Sequence, residues 1–113
     1  MTAQARNEGK ITAKIKGTLK QRGAYVRKVH QSRFSQGMLD IVAVYRSVPI
    51  FLEVKDGSAS RGLTPLQAAT IEEIRKAGGV AVMVTSPEQV ELLLDAIDAR
   101  ARKPFVHSSS QSL

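Results

Sequence analysis

Residues 37–57, GMLDIVAVYRSVPIFLEVKDG, decide how this chain folds. Two apolar runs, 39–45 and 50–54, flank a short polar segment, and this pattern predicts a β-hairpin. Yet Asp40 stands at the start of the first run, and Glu53 and Lys55 fall at the end of the second. Half-buried strands rarely tolerate such charges without a purpose. Closing the hairpin through Arg46, Ser47, Val48 and Pro49 sets Tyr45 opposite Ile50, Val42 opposite Glu53, and Asp40 opposite Lys55. All three charged side chains then share one face of the sheet. Asp40 and Glu53 become diagonal neighbours, roughly 7–8 Å apart at the backbone. A slip of a single residue would send Asp40 to the other face.

Working outward, Ile11, Ile15 and Leu19 recur every four residues and predict a helix over 7–22, ended by Gly23. Glu8 falls on the same stripe, one turn nearer the N-terminus, so an acid points toward the core. Residues 24–29, AYVRKV, alternate like a strand. Beyond the hairpin, a Gly/Ser-rich loop leads to TPLQ, with Thr64 as N-cap, Pro65 at the first helical position and Gln67 completing a capping box. That helix runs to about Ala77 and stops at Gly78-Gly79. Residues 80–84, VAVMV, form a buried strand, and SPEQ at Ser86 opens a last amphipathic helix. The order is α-β-β-β-α-β-α: an α/β domain with a central mixed four-stranded sheet flanked by helices. Residues 1–103 are expected to form a single domain and 104–113 a disordered tail.

Composition narrows the chemistry. The chain has 113 residues, 42% of them hydrophobic, enough for one domain with an aliphatic core. It has no cysteine, which excludes disulfides, thiolate metal sites and thiol nucleophiles. A polar start and the lack of a long apolar run predict a soluble, cytoplasmic protein away from membranes. The net charge is +7, and its distribution is uneven: residues 1–39 hold nine Lys/Arg against one acid, whereas the remainder holds eight against nine. A one-sided basic surface suits a polyanion such as DNA. On it, Lys10 with Lys14, Lys16 with Lys20, and Arg33 are candidates for phosphate contact, as are Ser58, Ser60 and Arg61 in the loop after the hairpin. His30 is expected to be a surface or phosphate contact, and His107 in the tail carries no role.

Two carboxylates converging on a partly dry surface repel, and one takes up a proton unless a cation intervenes. Mg²⁺ prefers hard oxygen ligands, commonly one or two carboxylates completed by water and phosphate oxygens. Asp40 and Glu53 are therefore candidate metal ligands, with the Val54 carbonyl as a further oxygen. Lys55 is placed to hold a scissile phosphate or orient the attacking water. For an isolated charged pair, a salt bridge of Lys55 with Asp40 and of Glu53 with an arginine is the ordinary reading. Here the acid, the Glu-x-Lys pair, the inward Glu8 and the basic surface coincide on one phosphate-cleaving site.

Asp40, twelve intervening residues, then Glu53-Val54-Lys55 resembles the signature of the PD-(D/E)XK nuclease superfamily. Glu8 on the first helix, Gly37 before Asp40, the Gly/Ser loop, LTPLQ and AGGVAVMV extend the likeness to the VRR-Nuc family, the virus-type replication-repair nucleases, over about residues 8–86. The family commonly has proline directly before the aspartate, where this chain has Leu39. The resemblance implies a restriction-endonuclease-like fold and Mg²⁺-dependent cleavage of DNA phosphodiesters, with Mn²⁺ able to substitute, leaving 5′-phosphate and 3′-hydroxyl ends. By position it makes Asp40 and Glu53 metal ligands, Lys55 the catalytic lysine, Glu8 a residue near the metal through water, and Gln67 a glutamine turned back toward the site. Small stand-alone members are similar to Holliday-junction resolvases, which implies a homodimer acting on branched DNA such as a four-way junction. A non-catalytic DNA-binding module with the same fold, and an RNA-directed nuclease, are the alternatives.

Overall fold

A computed structural model describes residues 3–30, 37–58 and 62–101. Seven elements follow in order: α1 (Ala3–Gln21), β1 (Tyr25–Lys28), β2 (Ile41–Tyr45), β3 (Val48–Val54), α2 (Pro65–Lys76), β4 (Val80–Val84) and α3 (Pro87–Ala101). The strands form one sheet in the order β1-β2-β3-β4. The pairs β1–β2 and β2–β3 are antiparallel, and β3–β4 is parallel through the α2 crossover. The expected element order and mixed sheet are therefore observed. The predicted tail, Arg33, Ser60 and Arg61 lie outside the described residues. Among the described residues no helix is long and apolar enough to cross a membrane.

Alternation along the strands divides the apolar side chains between two layers. Ile41, Ala43, Ile50, Leu52 and Val54 face α1 and α3, where Ile15, Leu19, Val90 and Leu94 are fully or almost fully buried. The opposite face carries Phe51 and Ala81 against Ile71 and Ile74 of α2, with Leu39 beside them. β3 is central, and its last three residues are buried on both faces. Burying an aliphatic side chain of this size contributes about 1.5–3 kcal/mol, so the larger α1/α3 layer supplies most of the cohesion.

The hairpin turn differs from the sequence expectation. Arg46 and Ser47 alone make it, with φ of 50° and 67°, and Tyr45 pairs with Val48. Positive φ at both central residues is the backbone of a type I′ turn, whose twist matches that of the flanking strands. Val48 and Pro49, read as turn residues, belong to β3, with Pro49 opposite Val44. In a two-residue hairpin, the second pair from the turn is a non-hydrogen-bonded one. The absent N–H of Pro49 therefore points away from β2, at a position where β4 has not yet begun to pair.

This turn shifts the register by two residues. Ile41 pairs with Leu52, so the next position sets Asp40 opposite Glu53 and not opposite Lys55. A shift of two keeps every side chain on its face. The convergence of the two acids survives the correction and becomes tighter.

Candidate active site

Counting alternation from the turn makes Asp40 and Glu53 a non-hydrogen-bonded pair, the closer of the two kinds, with Cα atoms about 4.5 Å apart. The regular ladder ends there. The Val54 N–H, which would bond residue 39 across the strands, donates instead to Asp40 Oδ2 at 2.8 Å. One Asp40 oxygen thus replaces a rung of the sheet. Asp40 is held from the other side as well, because its carbonyl accepts the Val29 N–H at 2.7 Å. The Lys55 N–H points toward β4 and donates to the Val84 carbonyl at 3.0 Å. By the same alternation, the Val54 carbonyl faces the β2 side, where Asp40 lies.

Glu53 is the most constrained group. It is only 3% exposed. Its Oε2 accepts from Gln67 Nε2 at 3.0 Å and faces Lys55 Nζ at 3.5 Å. Its Oε1 is buried and has no hydrogen-bond partner. Burial, and then the neighbouring Asp40 charge, push its pKa up to about 7 from an ordinary 4.5, while Lys55 pulls the other way. A buried carboxylate with an orphaned oxygen is costly in a finished fold. It is well suited to a hard cation, which needs such an oxygen and removes the repulsion from Asp40. Among the described residues no three acids or histidines stand together as a ligand group. Two carboxylates, a main-chain oxygen and water nonetheless fit Mg²⁺, which keeps several waters. The ordinary reading, Lys55 with Asp40, is not what the geometry gives: Lys55 pairs with Glu53.

Gln67 has both of the roles its position suggested. Its Oε1 accepts the Thr64 N–H at 3.0 Å, and its own N–H donates to Thr64 Oγ1 at 3.1 Å, which completes the capping box of α2. Its Nε2 is then free to donate to Glu53. A carboxamide has an acceptor and a donor on one planar group, so it serves the helix and the site together. Gly37, with φ of +83°, lets the chain enter β2 past α2, where a Cβ would sit 2.9 Å from Leu66 Cγ.

The remaining candidates are more dispersed. Glu8 is half-buried on α1 and does not join the two acids as a clustered third ligand. Its neighbour Asn7 hydrogen-bonds Asp56, so the start of α1 does reach the end of β3. Lys10 and Lys14 are exposed on α1. The Ser58 N–H donates to Asp56 Oδ1 at 2.9 Å in a local turn that, with other bonds, holds the Asp56 carboxyl below its ordinary range. Two basic residues of β1 were missed as candidates. Arg27 and Lys28 line a groove with Lys16, Lys20 and His30. The sequence signal was the Lys16/Lys20 spacing of one helical turn, but the strand facing it becomes known only from the sheet order.

A solved structure described as a VRR_NUC domain matches this fold with a TM-score of 0.67 and 28% sequence identity, over 79% of this chain and 95% of that one. The chain resembles the VRR-Nuc family in fold and, at this identity, in sequence. No family model matches the sequence, and no curated protein matches it. The chain has the mixed sheet and flanking helices of the restriction-endonuclease-like fold.

Proposed function

We propose that this chain is a divalent-metal-dependent endonuclease that hydrolyses DNA phosphodiesters, acts on branched DNA such as four-way junctions, and works as a homodimer. The observation that carries the reading is Glu53: a buried carboxylate with an unpartnered oxygen, directly across from Asp40 and beside Lys55. Asp40, Glu53 and the Val54 carbonyl are the residues that would hold Mg²⁺ or Mn²⁺, with Glu8 acting through water. When bound, such an ion supplies Lewis acidity, neutralising phosphoryl charge and lowering the pKa of a water.

The chain's own groups do the rest. Gln67 fixes the Glu53 carboxylate by donating to Oε2, which leaves Oε1 without a partner. The Val54 N–H orients Asp40 in the same way. Lys55 places an ammonium group beside the acids, where it orients the attacking water and offsets charge on the scissile phosphate. A two-fold pair of chains would present two such sites to the two strands of a symmetric junction.

The test is cleavage of linear duplex, single-stranded, flapped and four-way DNA, and of the matching RNA, with Mg²⁺, Mn²⁺ or EDTA, alongside sedimentation of the protein. The reading expects EDTA-sensitive cutting strongest on branched DNA, by a dimer. Undiminished cutting by Asp40→Ala or Glu53→Ala protein would remove these residues from the site. Binding without cutting under every metal would leave only the DNA-binding module.

A further inference from the structure

A positively charged concave surface lies apart from the acidic pair. It is the groove between the second half of α1 and strand β1, lined by Lys16, Lys20, Val26, Arg27, Lys28 and His30. Lys16 and Lys20 stand one helical turn apart on the same face of α1, about 6 Å along its axis. Opposite them, β1 is the edge strand of the sheet, exposed at three of its four positions, with only Val26 buried as the groove's floor. No acid lines the groove. Lys16, Lys20 and Lys28 form no ion pair among the described residues, in contrast to Arg22 two residues beyond Lys20, which is bound to three acids. The groove measures about 210 Å³. That is smaller than the mostly apolar pockets that enclose small molecules, and it suits a charged chain lying across it.

The strand that walls the groove runs on to the candidate active site. Lys28 pairs with Ile41, and the next residue, Val29, donates its N–H to the Asp40 carbonyl. The start of α1 reaches the site through Asn7 and Asp56. Lys16 lies nine residues further along the helix, about 14 Å at 1.5 Å per residue. Along a duplex with 3.4 Å per step on each strand, that distance is about four base pairs.

We propose that the α1–β1 groove is a second DNA-backbone site, which holds the phosphates of a duplex arm from Lys28 beside the candidate site out to Lys16, about four base pairs along. The identity of the ligand rests on the nuclease reading; the groove's affinity for a phosphate backbone does not. Its role is to set the length of arm the protein engages, which two carboxylates and one lysine do not define.

The experiment compares wild-type protein with a Lys16→Gln/Lys20→Gln/Lys28→Gln variant, after circular dichroism and thermal melting show that both are folded. Binding to a fluorescent duplex is followed in EDTA from 50 to 200 mM salt. Three lost phosphate contacts should make the slope of log K against log[salt] shallower by about 2 to 3. In cleavage assays, the variant should show a raised KM with unchanged kcat on arms longer than about six base pairs, and a smaller defect on arms shorter than about four, which reach only Lys28 at the near end of the groove. An unchanged salt slope overturns the proposal. So does an equal loss on long and short arms, a loss confined to RNA, or an unchanged slope with self-association of the variant, which would assign the lysines to guarding an exposed sheet edge. If wild-type protein cuts nothing, the nuclease reading fails, and the salt slope still decides the groove.

Discussion

Two charged clusters sit at opposite ends of the same hairpin, and they are built on opposite principles. At the turn end, Arg22 bonds Glu91, Asp95 and Asp98, Arg46 bonds Asp98, and the Tyr45 hydroxyl donates to Asp98 at 2.7 Å. The Tyr45 hydroxyl, with the two arginines, holds the Asp98 carboxyl below its ordinary range. At the open end, Asp40 and Glu53 face each other with Lys55 beside Glu53, one Glu53 oxygen is unpartnered, and the Glu53 pKa rises. The first cluster is satisfied and fastens α1, the hairpin and α3 together. The second is left incomplete by the fold. An incomplete buried cluster that survives in an otherwise consistent structure marks a binding function.

The contrast makes its largest prediction at the acids. Asp40→Asn keeps an acceptor for the Val54 N–H but removes the charge, and Glu53→Gln keeps the size of the side chain. Each should lower cleavage of a four-way junction by about 10³-fold or more, since a metal supplies several kcal/mol to the transition state. Neither should lower the melting temperature of the metal-free protein. Arg22→Ala should do the reverse, lowering the melting temperature while leaving kcat within about twofold, an interval too small to implicate the chemistry. Equal behaviour of the two ends in paired melting and cleavage assays would dissolve the distinction.

Gln67 comes next, because it bridges helix and site. Gln67→Ala should weaken Mn²⁺ binding by about 10- to 100-fold, as loss of a group that orients a ligand does. It should also cost about 1 kcal/mol of stability through the broken cap. Gln67→Glu retains the capping pattern but sets a like charge against Glu53. Its stability should therefore be near wild type in acid and lower than wild type at pH 8 without metal, as read by denaturant unfolding.

The two ends should also respond to pH with opposite signs. The folded pKa of Glu53, about 7, lies above its ordinary 4.5, so the stability it contributes is full below pH 4.5 and is lost as pH rises through 7. Asp98 is depressed below 3.8, so its contribution is full above pH 3.8 and is lost as pH falls further. Thermal melts of the metal-free protein should therefore decline between pH 5 and 8, and Glu53→Gln should flatten that decline. The smallest effect is at Tyr45: Tyr45→Phe should cost about 1 kcal/mol, the net worth of one buried hydrogen bond, with cleavage unchanged.

Much of this was readable from residue order. The alternating runs, the TPLQ and SPEQ caps and the single crossover fix the element sequence and the parallel β3–β4 pair. The turn was not readable, because type I′ hairpins usually advertise themselves with Asn-Gly, and here Arg46 and Ser47 adopt positive φ without it. Pro49 then looked like a turn residue, although its missing N–H costs nothing at that strand position. The acids were nonetheless placed on one face because the error was an even number of residues. Gln67 was read as having one of two roles, and its amide has both. The α1–β1 groove depends on β1 lying at the sheet edge, a fact of topology that charge spacing along the chain does not encode.

The most direct measurement is calorimetric titration of Mn²⁺ into the metal-free protein at pH 7, in buffers of different ionisation enthalpy, which counts the protons displaced. If the ion takes both carboxylates, Glu53 must give up the proton it holds about half the time at its pKa of about 7. Binding should release about half a proton at pH 7 and almost none at pH 9. Mn²⁺ that binds without displacing a proton at pH 7, or binds as tightly to the Glu53→Gln protein, would contradict the assignment of these acids as the metal site.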